Sequence, residues 1–109
     1  MSEFDLKGLF ETAQRLQTEM TRVKDELGRK TVVGETGGGL VQVTASGKGD
    51  VVQVTVDPSL LSPDNKKMLE DLVAGAVNVA LERARQLAQE EVARVGGGLG
   101  IPPGLFGGS

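Results

Sequence analysis

Leu40-Val41-Gln42-Val43-Thr44-Ala45-Ser46-Gly47-Lys48-Gly49-Asp50-Val51-Val52-Gln53-Val54-Thr55-Val56 is an alternation of apolar and polar side chains on both sides of a glycine-bearing link. Val41, Val43 and Ala45 share a face of the first segment and Val52, Val54 and Val56 a face of the second, with Gln42, Thr44, Gln53 and Thr55 opposite. A period of two predicts two strands, each with one buried and one polar face. The link at 46–50 suits a hairpin turn whose glycines accept positive φ. Just upstream, Thr31-Val32-Val33-Gly34-Glu35-Thr36 is another β-prone run, ended by Gly37-Gly38-Gly39. The three runs predict a three-stranded antiparallel sheet.

The flanks are helical. Leu6, Leu9, Ala13, Leu16, Met20, Val23 and Leu27 recur at alternating spacings of three and four, a heptad seam of the kind that packs on another helix. This predicts a first helix over 5–28, with Gly28 as its stop. Asp57-Pro58 ends the third strand, and Ser62-Pro63-Asp64 provides an N-cap, a first-turn proline and a first-turn acid for a second helix. Its apolar positions, from Leu69 and Leu72 through Ala76, Ala80 and Ala84 to Leu87, carry it to about Val95, where Gly96-Gly97-Gly98 stops it. Gly75 within it predicts close packing. Residues 1–95 therefore read as one domain and 96–109, with Ile101-Pro102-Pro103-Gly104-Leu105-Phe106, as a flexible Gly/Pro-rich tail.

The predicted fold class is α+β, in the order α-β-β-β-α. Its helices would be about 35 and ~50 Å long, whereas six-residue strands span only ~20 Å. Both helices overhang the sheet, and three short strands with an open edge are marginal alone. An intertwined or sheet-joined homodimer answers both problems. Its packing residues would be Leu16, Met20, Val23 and Leu27 on the seam and Val52, Val54 and Val56 on the third strand. Only three aromatic residues, all Phe, occur in 109, which again favours a partner over a large monomeric core.

Without cysteine the chain has no disulfide or thiolate metal site, and without histidine as well the common nucleophile, base and zinc-ligand sets cannot be assembled. The paired acids Glu70-Asp71 and Glu90-Glu91 are neighbours on helices and point in different directions. Gly37-Gly38-Gly39 is followed by neither a Lys-Ser/Thr pair nor a helix, so it reads as a loop rather than a phosphate cradle. No catalytic residues, metal ligands or cofactors are assigned. The N-terminus lacks signal-peptide character and no apolar run approaches a membrane span, so the expected place is the cytoplasm, with no membrane partner.

Specific words add to these patterns. Residues 34–44 read Gly-Glu-Thr-Gly-Gly-Gly-Leu-Val-Gln-Val-Thr, residues 56–61 Val-Asp-Pro-Ser-Leu-Leu, and residues 68–73 Met-Leu-Glu-Asp-Leu-Val; Asn78 and Pro102-Pro103-Gly104-Leu105 follow. In this order and spacing they resemble the YbaB/EbfC family over nearly the whole chain. The resemblance implies a tweezer-shaped homodimer that binds double-stranded DNA with low sequence selectivity, organises the bacterial nucleoid and thereby bears on gene expression. Many relatives begin with a Lys- and Met-rich helix; here Glu3, Asp5 and Glu11 stand in that region.

The net charge of −3 means that DNA contact must come from a local basic patch. Arg15, Arg22 and Arg29 repeat every seven residues and form one stripe. With Glu19 and Glu26 interleaved, the stripe also reads as an ion-pair ladder on a solvated face. Helical pairing further accounts for Lys7 with Glu11, Lys66 with Glu70, Lys67 with Asp71, Glu82 with Arg85, and Glu90 with Arg94. Lys24, Lys48 and Arg83 have no acid three or four positions away and are either phosphate contacts or ordinary surface charge. The predicted DNA-binding set is Arg15, Arg22, Lys24 and Arg83. The competing reading is an adaptor that docks a cytoplasmic protein on the seam or the tail, with weak or no DNA contact.

Overall fold

A computed structural model describes residues 5–98. Helix α1 covers Leu6–Arg29, strands β1, β2 and β3 cover Thr31–Thr36, Val41–Ser46 and Val51–Val56, and helix α2 covers Lys66–Gly98. The strands form one antiparallel sheet in the order β1-β2-β3. This is the predicted α+β layout. The tail expected to be flexible lies, from residue 99 onward, outside the described residues.

Local chemistry sets the element ends. Asp5 caps α1, its Oδ1 accepting from the Gly8 N–H at 3.2 Å. Asp57 and Ser62 accept from the N–H groups of Ser59 and Asp64 at the start of two 3₁₀ turns, Pro58–Leu60 and Pro63–Asn65, the second of which leads into α2. Gly28 does not stop α1 as expected. The helix continues to Arg29, and extended Lys30 caps it, its N–H reaching the carbonyls of Glu26 and Leu27. Gly28 has no positive φ, so the reason for glycine there is not a left-handed cap.

Helix α2 runs antiparallel to the line made by α1 and β1, and joins them. Its Leu72 carbonyl accepts from Thr36 Oγ1 at 2.7 Å, Ala76 and Ala80 lie on Gly34, and Glu91 meets Lys30. A Cβ at Gly34 would sit 2.4 Å from the Ala80 nitrogen and 2.7 Å from the Ala76 oxygen. Gly75 packs as predicted, its Cβ position being 3.1 Å from Thr36 Cγ2. Under this approach Val41, Val43, Ala45, Leu60, Ala76 and Ala80 form the main core.

A second cluster holds the arm: Val23, Leu27 and Val95 are buried, with Leu16, Met20 and Leu87 against them. The predicted seam residues thus find their partner within the same chain. Farther out, Leu6, Leu9 and Phe10 remain exposed.

Strand β3 departs from simple alternation. Its register with β2 shifts at Thr44/Ala45, so that Gln53 faces Thr44 while Val51, rather than Val52, faces Ala45. The face expected to be buried is open: Val52 is 58% and Val54 44% exposed, and only Val56 is half-buried. In the hairpin link, Gly49 takes the positive φ, at 95°. Gly47 instead allows close approach to α1, donating its N–H to the Lys30 carbonyl at 2.9 Å.

Candidate nucleic-acid interface

The stripe of arginines lies on α1, and its ladder closes on the central member. Arg22 Nη2 pairs with Glu19 at 2.6 Å and Nη1 with Glu26 at 2.7 Å. Both acids are taken from the outer arginines, so neither Arg15 nor Arg29 has a carboxylate within 4.0 Å among the described residues. The hydrogen bond from Arg22 holds the Glu19 carboxyl below the usual carboxylate range, and Glu19 in turn raises the Arg22 guanidinium above its ordinary value. Of the stripe, then, the two ends are available to an outside anion and the middle is neutralised.

Between α1 and the end of α2 runs a cleft of about 280 Å³, floored by Val23 and Val95. Arg15, Arg22 and Arg94 line it together with as many glutamates, so it carries no excess of positive charge. One of these acids, Glu91, is buried and bridges Lys30 Nζ at 3.2 Å and Arg94. Arg94 was expected to pair with Glu90. The turn of α2 that faces α1 places Glu91 inside and gives it both cations, so the cleft fastens the arm to the body.

Lys24 is exposed on α1 and Lys48 on the hairpin link; neither is ion-paired among the described residues. Arg83 is exposed too, but its Nη1 donates to the Val33 carbonyl of the edge strand β1. Lys67 pairs with Asp71 at 3.1 Å and Arg85 with Glu82 at 2.6 Å, as predicted, whereas the expected pairs of Lys7 with Glu11 and of Lys66 with Glu70 do not form. Of the four predicted DNA-binding residues, α1 therefore carries Arg15 and Lys24 unpaired and Arg22 paired, while Arg83 stands apart on α2. Arg29 is not in that set, although it too is unpaired among the described residues. Arg29 is left without an acid because Arg22 takes Glu26, an outcome that helical spacing alone does not decide.

Among the described residues no helix is long and apolar enough to cross a membrane. The fold is similar to that of an uncharacterized protein of Helicobacter pylori in its crystal structure. The TM-score is 0.72 with 20% identity, covering 81% of this chain and 92% of that one. In sequence the chain is 42% identical over 102 residues to a nucleoid-associated protein of Acetivibrio thermocellus, covering 94% of this chain and 90% of that protein. It is 46% identical over 105 residues to a nucleoid-associated protein of Bordetella avium, covering 96% of each. The model of the YbaB/EbfC DNA-binding family matches residues 1–99, and the chain belongs to that family.

Proposed function

We propose that the chain acts in the bacterial cytoplasm as a nucleoid-associated protein, binding double-stranded DNA as a homodimer with low sequence selectivity. In this role it organises the nucleoid and, through that, bears on gene expression. The observation that carries this reading is the family match over residues 1–99, and the unpaired cations on α1 supply a chemistry for it. Contacts from Arg15 and Lys24 neutralise backbone phosphates and release counterions; Arg22 and Arg83 join with the guanidinium donors their intramolecular partners leave free. Phosphate contacts position a protein without reading sequence, which is the basis of the low selectivity. The dimer joins on the β3 side, where an unpaired strand edge meets exposed Val52 and Val54.

The test is fluorescence anisotropy of a labelled duplex with the full chain at about 50 and 200 mM salt, where phosphate contacts appear as a steep loss of affinity. Replacing Arg15, Arg22, Lys24 and Arg83 together by Ala is expected to abolish most binding; unchanged affinity would reject these sites. A second reading, a protein adaptor, is favoured by the exposed Leu6, Leu9 and Phe10 at the arm tip. It takes over if the duplex is not bound even at the lower salt.

A further inference from the structure

Gly28 and Gly47 are both explained by one contact. The β2–β3 link lies against the last turn of α1: a Cβ on Gly47 would come within 2.8 Å of the Leu27 carbonyl oxygen and 2.9 Å of Leu27 Cδ2. No other residue fits there without moving backbone. The link thereby lays the Lys48 stem over Gly28, with Lys48 Cδ 3.0 Å from where a Gly28 Cβ would be. Gly28 is a seat for Lys48, which accounts for a glycine inside a helix that does not end at it.

The seat fixes where the charge goes. Lys24 precedes Gly28 by four residues, and positions four apart on a helix are neighbours about 5–6 Å apart between Cβ atoms. Lys24 and the Lys48 stem, from two different elements, therefore lie on one face of α1 near its C-terminal end, and both side chains are exposed. Asp25 and Asp50 are the acids closest in sequence, and neither is within 4.0 Å of a lysine nitrogen. Two exposed cations on one helix face, neither paired with a carboxylate, suit successive anionic groups along a backbone.

We propose that Lys24 and Lys48, seated by Gly28, form a phosphate-backbone contact at the base of the α1 arm. The inference rests on the DNA-binding reading above and sharpens it to a site.

Gly28→Gln tests it, because this change keeps every charge, raises the helix propensity of α1 and fills the seat with a neutral side chain. Duplex affinity is measured by anisotropy for the full-length wild type, Lys48→Gln, Gly28→Gln and the double variant, with Lys66→Gln as a control and helical content followed by circular dichroism. Lys48→Gln is expected to lower the slope of log affinity against log salt by about one for each copy in contact. Gly28→Gln is expected to reproduce that loss with α1 intact, and the double variant to bind no worse than either single one, the mark of two residues acting through one contact. Should Gly28→Gln disturb folding, Lys24→Gln paired with Lys48→Gln reads the same site. Wild-type affinity in both Lys48→Gln and Gly28→Gln, or losses that simply add, would overturn the site and leave DNA binding standing. A wild type that does not bind the duplex would overturn both readings.

Discussion

Strands β2 and β3 carry the same kind of alternation, yet Val41 and Val43 have no exposed surface while Val52 and Val54 keep 58% and 44% of theirs. The difference is the width of a helix. A helix is about 10 Å across and strands are spaced about 4.8 Å apart, so one helix covers two strands. Gly34 draws α2 down onto β1 and β2, and of β3 only the Val56 end packs against the core beneath it. Apolar patterning thus marks what is to be covered, but not what covers it.

Lifting α2 off its strands should have the largest effect. Gly34→Val would drive a side chain into the α2 backbone at Ala76 and Ala80, and a loss of about 3 kcal/mol or more is expected, measured by urea unfolding. Next, a truncation on the covered strand is expected to cost far more than one on the open strand. Val43→Ala removes buried methyl groups and should lose about 2–3 kcal/mol. For the proposed dimer joined on β3, Val54→Lys is expected instead to leave the helical signal in place and to reduce the mass by light scattering from two chains to one. An unchanged mass would reject β3 as the joint.

The arm gives a smaller effect. Glu91→Ala removes the buried acid shared by Lys30 and Arg94, whose own side chains are partly exposed and can rehydrate. The expected loss is about 1–2 kcal/mol in thermal or urea unfolding, less than for a pair in which both charges are buried. Smallest is the response to acid. Glu19 and Asp57 are held below the ordinary carboxylate range, Glu19 by Arg22 and Asp57 by hydrogen bonds from Ser59. A lowered folded value means that their stabilisation is complete above the unfolded carboxylate value and is lost as pH falls through the lowered ones. Both are solvated, so the melting temperature should decline only slightly over that window, and a decline at higher pH would point elsewhere.

Much of the fold was legible in the chain because its signals are local. The Ser62 cap, the seam from Leu16 to Leu27 and the alternation of β2 each depend on residues within a few positions. Gly28 was misread for the converse reason: a glycine near the end of a helical pattern looks like a stop, and Lys48, twenty residues away, is what gives it another purpose. The β3 register shift likewise has no local mark among a run of valines. For the candidate interface, the seven-residue repeat of Arg15, Arg22 and Arg29 was visible, but which arginine would hold Glu19 and Glu26 was not, since each acid lies within reach of two.

The order of elements, the apolar faces and the family are written in the chain itself, since periodicity, caps and motifs are properties of neighbours along it. Which apolar faces are covered, which cations are neutralised and where Lys48 lies emerge only when the elements pack. Those outcomes depend on how closely α1, α2 and the hairpin approach, and that distance is set by glycines whose partners are remote in sequence.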